Sequence, residues 1–285
     1  MIQNKKSQKF AKTAFAHLVL ISYTALAILP VLLVFINSFK DRKTIFRAPL
    51  ALPFGTKFDL GGYQTVLENS NVWLYFGNSL IVTVASLTLI LLFGAMAAFA
   101  LSEYRFKFGG LFGLFFAFGI MIPIRLGTLG IVNIFSHIGL MSPAWGKLAS
   151  LILIYTAHGL PLAVFILTEF MRSLSGELKE AARIDGFNEY QIFFKLVLPL
   201  VRPAMATVAV FNLIPIWNDL WFPLVIANFE STKTIILWAQ DFKGQFSNNY
   251  PALLASLSLA IAPAIILYLI FSRQLIRGIT SGAVK

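Results

Sequence analysis

Six apolar runs, separated by polar stretches of unequal length, organise this chain of 285 residues. They cover about 13–36, 73–101, 108–124, 148–171, 204–227 and 251–271. Each reaches the roughly 17 to 25 residues that a helix needs to cross the hydrocarbon of a bilayer. Pro30, Pro161 (after Gly159), Pro215, Pro223 and Pro263 lie inside runs and predict kinks or breaks, which membrane helices tolerate. Gly109 and Gly113 form a small-xxx-small pair, which predicts close helix packing in the third run. Between Arg125 and Trp145 the chain is too broken by Gly, Pro and Arg to span, and 131–138 reads as a short interfacial helix. Ala25-Leu26-Ala27 offers a small-x-small cleavage site in the first run. The run nevertheless continues to Ile36, longer than the apolar core of a signal peptide, so it reads as an uncleaved first span. The predicted fold is an all-α membrane protein, one domain of six transmembrane helices.

The polar stretch 172–202 has a different rhythm. Ser175 is placed to cap a helix, and Glu177 sits where the helix dipole favours negative charge. The residues from Leu178 to Arg183 are all strong helix formers. Gly186 stands where the chain must turn left-handed, and Asn188 can cap a second helix that ends before Pro199. The product is helix, tight turn, helix. Leu178, Ala181, Ala182 and Asp185 share one face by their spacing. The two alanines make that face shallow, which suits docking into a cleft of another protein. A solvated loop helix shows the same local pattern.

Composition narrows the class. Charged residues make up 12% of the chain, where a soluble domain has about a quarter, and 58% are hydrophobic. The net charge of +11 comes without a basic helix or an aromatic-interleaved basic patch, which argues against nucleic acid as a partner. Of the 23 Lys and Arg, fourteen fall on the side of the termini and of 172–202, and nine on the other. The positive-inside rule then places both termini and the 172–202 loop in the cytoplasm. The segment 37–71 runs against this trend with Lys40, Arg42, Lys43, Arg47 and Lys57. With no cysteine, disulfides and thiolate metal sites are excluded. His17, His137 and His158 have no ligand spacing, so no metal site is expected. There is no GxxxxGK[ST] phosphate loop and no nucleophile–base constellation. The expectation is a non-enzyme with no catalytic residue and no cofactor of its own.

One acid lies inside an apolar run. Asp219 has Asn212, Trp217, Asn218 and Trp221 around it in the proline-broken fifth run. An intramembrane charge faces a pathway, a partner or water. These side chains can stack on a sugar face and hydrogen-bond its hydroxyls. The alternative is that Asp219 sits at the external interface or fixes helix packing.

Glu180-Ala181-Ala182, then Asp185-Gly186, then Leu196-Val197-Leu198-Pro199, resembles the EAA loop of permease subunits of ATP-binding-cassette importers. The family has Ile at Leu196 and often Pro at Gly176. Ser38-Phe39-Lys40, Pro53, Gly62-Tyr63 and Asn78-Ser79-Leu80 look like the first external loop of the carbohydrate, maltose-type permeases. The Trp217-Asn218-Asp219 segment and the ending from Arg277 to Lys285 resemble the same group. The resemblance covers nearly the whole chain. It implies a single permease domain in the bacterial cytoplasmic (inner) membrane, supplying half of a translocation path for a sugar or sugar derivative. It also implies a second permease subunit forming a heterodimer, two cytoplasmic ATPase subunits that hold ATP and Mg, and an extracytoplasmic substrate-binding protein. The ATPase-coupling residues would be Glu180, Ala181, Ala182, Asp185, Gly186, Leu198 and Pro199. The substrate path would be lined by Asn212, Trp217, Asn218, Asp219 and Trp221. A permease for another small solute, or a stand-alone secondary transporter, are the other classes the chain admits.

Overall fold

The computed structural model describes the backbone of residues 2–68, 71–242 and 249–283, and the side chains of 12–68, 71–242 and 249–269. Among the described residues the chain is helical without a strand. It divides into two compact units, 1–71 with 239–259, and 72–238 with 260–285.

The first unit opens with α1 (Ile2–Asn37), whose residues 12–30 are exposed while Asn37 at its end is buried. After it come two short helices, α2 (Arg42–Arg47) and α3 (Gly61–Glu68). Asp41 caps α2 by accepting from the N–H groups of Lys43 and Thr44. Lys40 is 1% exposed and has no carboxylate partner among the described residues. Its ammonium donates to Asn37 Oδ1 at 2.9 Å and to the carbonyls of Ala48 and Pro49 at 3.1 Å each. Burial holds its pKa below the usual lysine value. One of the five positive residues that oppose the orientation rule is thus a buried clasp on the backbone.

The second unit carries α4 (Val72–Glu103), α5 (Gly109–Met121), α6 (Thr128–His137) and α7 (Ala144–Arg172). The polar loop follows as α8 (Gly176–Ile184) and α9 (Glu189–Leu200). Then come α10 (Arg202–Trp217), α11 (Trp221–Ile226) and α12 (Ile235–Ala239). A last helix, α13 (Tyr250–Ala283), begins in the first unit and ends in the second. Its final turns include Arg277, whose side chain lies outside the described residues, as do residues 284–285.

The core of this unit forms where α4 runs along α7 and α10 crosses both. Lipid gives helices no hydrophobic reason to associate, so small residues that admit close contact decide where they meet. A Cβ on Gly159 would fall 2.4 Å from Ile90 and 2.5 Å from Asn212, and one on Gly94 would fall 2.8 Å from Ala163. Asn78 and Ser79 of α4 bind the loop before α12. Asn78 donates to the carbonyls of Ser231 and Lys233, and Ser79 accepts from the Ile235 N–H.

Three features differ from the sequence expectation. The third run, expected over 108–124, forms a helix of only 13 residues. At 1.5 Å per residue that is about 20 Å, short of a bilayer core. The chain then bends by 89° into the helix pair over Ile124–His137. Its close packing comes at Gly119, 2.7 Å (as a built Cβ) from the Pro161 ring, while Gly113 faces open space. The helix α7 runs without interruption through Gly159 and Pro161. The fifth run, expected over 204–227, stops at Trp217 and resumes at Trp221. Pro215 lies inside α10 and Pro223 in the first turn of α11, where a missing N–H costs nothing. The break falls between them.

Candidate functional site

The loop helices are built by local chemistry. At the end of α8 the Phe187 N–H reaches back to the Ala182 carbonyl at 3.0 Å and the Gly186 N–H to Arg183 at 3.1 Å. This is a Schellman closure, and it needs a left-handed residue at Gly186, whose φ is +83°. Asn188 then opens α9 with a reciprocal capping box. Its Oδ1 accepts from the Gln191 N–H at 2.9 Å, and Gln191 Oε1 accepts from the Asn188 N–H at 3.0 Å. Ser175 stands at the start of α8 but makes no capping bond, so that expectation is corrected. A π-helical stretch over Ile192–Val197 precedes Leu198-Pro199, both half-buried. Pro199 has no N–H to close an ordinary turn, and the widened turn carries the chain into a 73° bend before α10.

Two faces of α8 are distinct. Lys179 and Ala182 point inward, Ala182 against the core cluster. Glu180, Ala181 and Asp185 are exposed, as are Leu178 at 44% and Ile184 at 86%. The face read from spacing is therefore corrected: Ala182 turns inward, and Ile184 is exposed with Leu178 and Ala181.

The inward side is held by an ion-pair network that sequence reading missed. Glu103 ends α4, where a carboxylate opposes the helix dipole. It is paired with Lys179, both side chains under a tenth exposed, and lies 3.9 Å from Arg183. Arg183 also donates to Glu189 at 2.9 Å, and the Tyr104 hydroxyl donates to the same carboxylate at 2.6 Å. These two donors, Arg183 first, hold the Glu189 carboxyl below its usual value. Burial, with the bond to Glu189, pushes the Tyr104 phenol up to about 12, so it stays a donor at neutral pH. Nothing local marks this network's link to α4, because Glu103 and Tyr104 lie 76 and 85 positions from Lys179 and Glu189.

The second candidate is a cleft of about 520 Å³ at the α10–α11 break. Asp219 sits at its wall with a side chain only 9% exposed. It accepts from the Tyr155 hydroxyl at 2.9 Å and from the N–H groups of Trp221 and Phe222 at 3.3 and 3.1 Å. Arg125, two-thirds exposed, approaches it at 3.5 Å. Asp219 thus caps the first turn of α11 and ties α7 and the α5–α6 corner to it. Asn212 and Asn218 line the same cleft, with His158. Each Asn donates to the carbonyl one turn back, Asn212 to Val208 and Asn218 to Ile214.

Trp217 does not belong there. It is 2% exposed, and its indole N–H donates to the Ala260 carbonyl at 2.9 Å. It packs in the helical interior, because the end of a helical turn carries the ring away from the cleft. Trp221 also stays off the cleft wall. Its indole donates to Thr128 at 3.0 Å, and Thr128 donates to the Arg125 carbonyl. Tyr155, His158 and Arg125 were missed because they come from α7 and a corner that the pattern marked only as apolar or irregular. Among the described residues no group of His, Asp and Glu is arranged to hold a metal ion.

The family model of the binding-protein-dependent transport system inner membrane component matches residues 90–281. The chain belongs to this family. The permease is 34% identical over 263 residues to a putative ABC transporter permease protein of Caldicellulosiruptor sp. (strain Rt8B.4), covering 92% of this chain and 94% of that one. It is 32% identical over 275 residues to a diacetylchitobiose uptake system permease of Streptomyces coelicolor, covering 95% and 89%. A solved structure of a bacterial ABC transporter involved in the import of alginate shares the fold. Its TM-score is 0.76 at 22% identity, over 90% of this chain and 94% of that one.

Proposed function

We propose that this permease lines half of a path for a saccharide across the bacterial cytoplasmic membrane, and that α8 couples it to a cytoplasmic ATPase. The observation that carries the reading is the two-faced α8. Leu178, Ala181 and Ile184 are exposed on one side, while Lys179 on the other is buried against Glu103. An apolar face exposed on a rigidly held loop helix is what a partner cleft requires. The partners are a second permease forming a heterodimer, two ATPase subunits holding ATP and Mg, and an extracytoplasmic binding protein. Both termini and the α8–α9 loop face the cytoplasm. The saccharide assignment is supported by the uptake role named for the diacetylchitobiose relative.

A displacement of α8 by the ATPases pulls on the end of α4 through Glu103. The helix α4 packs along α7, and Tyr155 of α7 holds Asp219 at the cleft wall. The cleft widens or narrows as these helices rock. In vesicles holding both permeases and the ATPases, a binding protein loaded with saccharide raises ATP hydrolysis several-fold over the unloaded protein. Saccharide flux by this chain with no ATPase present would refute the reading.

A further inference from the structure

A second cleft, of about 500 Å³, opens between the α4–α5 turn, the start of α5 and the last turns of α7. It shares Tyr104 with the network that holds the loop and otherwise lies apart from both sites above. Its wall is apolar, with Leu101, Phe106, Phe116 and Phe165, and its rim carries Arg105, Glu169 and Arg172.

Two independent features point to an anion there. The helix α5 starts without a side-chain cap. Its Gly109 and Phe112 N–H groups bond to the carbonyls of Phe106 and Phe108, leaving those of Gly110 and Leu111 with no acceptor among the described residues. Gly110 and Gly113 have open space where a Cβ would stand, so a ligand can approach the backbone. The other feature is Thr168, a cleft-lining residue that is only 7% exposed and whose hydroxyl has no partner among the described residues. Elsewhere in α7, Ser150 and Thr156 donate to the carbonyls of Gly146 and Ile152 at 2.8 and 2.7 Å. Thr168 leaves that option unused, and a buried hydroxyl without a partner is expensive.

The charge agrees. Glu169 is paired with Arg172 at 3.0 Å, whereas Arg105 has no carboxylate partner among the described residues. Beside the cleft, Leu111, Phe112 and Phe115 are exposed apolar side chains, and the basic residues come just past the apolar spans of α4 and α7. A basic, donor-rich pocket at that boundary, continued by an apolar wall, matches a lipid headgroup followed by its acyl chain.

We propose that this cleft binds an anionic phospholipid. The phosphate meets Arg105, the Gly110 and Leu111 N–H groups and the Thr168 hydroxyl, and an acyl chain lies along Phe116 and Phe165. The proposal rests on the membrane embedding alone, not on the coupling or saccharide reading.

The assembled transporter is purified in uncharged detergent, without ATP or saccharide. It is titrated with phosphatidylglycerol or with phosphatidylcholine of the same chains, and bound lipid is read by native mass spectrometry. One phosphatidylglycerol per copy of this chain binds in preference to phosphatidylcholine. Arg105→Gln and Thr168→Val each weaken it by roughly tenfold, the scale of one charge-assisted hydrogen bond, with unchanged melting temperatures. Millimolar inorganic phosphate does not displace the lipid. Equal binding of the two lipids, unchanged binding in both variants, or displacement by inorganic phosphate would overturn the proposal. So would capture of the partner permease by a photoreactive amino acid placed at position 110, which would mean that a protein helix fills the cleft.

Discussion

At the scale of single residues, the buried Glu103–Lys179 pair is the contact on which the loop's position depends. Removing one partner strands the other charge, at a cost of about 3–5 kcal/mol, while replacing both by apolar residues leaves nothing unpaired. Glu103→Ala should therefore lower the melting temperature of the purified permease sharply, and Glu103→Leu with Lys179→Leu should recover most of the loss. An equal loss in the single and double variants would mean that the pair is not a unit. Glu189 adds a pH dependence. Its folded pKa lies below the unfolded value of 4.5, so its contribution is present above that value and lost as pH falls through the folded one. Proteolysis of the α8–α9 loop should rise as pH is lowered below about 4.5, and less so in Glu189→Gln, which has no carboxyl to titrate.

At the scale of elements, what the sequence made legible was local, and what it hid was long-range. The turn at Gly186 and the cap at Asn188 could be read because each involves residues within a few positions. Ser175 has the right chemistry for a cap, yet its side chain makes no such bond. Ala182 and Ala181 are indistinguishable by spacing until α4 and the core lie beneath one of them. Trp217 was read with Asp219 because they are two residues apart, but the helix carries the indole to Ala260 and the carboxylate to Tyr155. Trp217→Ala should accordingly cost about 3–5 kcal/mol of stability, through the cavity left by the indole. Asn218→Ala, exposed in the cleft, should change the KM for uptake with no change in melting temperature. Normal melting of Trp217→Ala would return that residue to the path.

At the scale of the whole molecule, the apolar runs revealed the helical membrane class, because span length is set by bilayer thickness. They did not reveal the 89° bend that ends the third run or the 73° bend just ahead of the fifth, since hydropathy is blind to direction. Nor did they show a buried Lys40 clasp within a segment that the charge rule treats as free lysines and arginines. The central claim is that the exposed side of α8 is where the ATPase engages. Its most direct test is the amount of ATPase that co-purifies with Ala181→Asp and Ile184→Asp, measured beside saccharide uptake. Both side chains are exposed here, so both variants should insert and melt as the unaltered permease does. Burying an unpaired carboxylate in a partner cleft is unfavourable. The account predicts that ATPase recovery and uptake fall together in both variants; full ATPase recovery with unaltered uptake in both would contradict it.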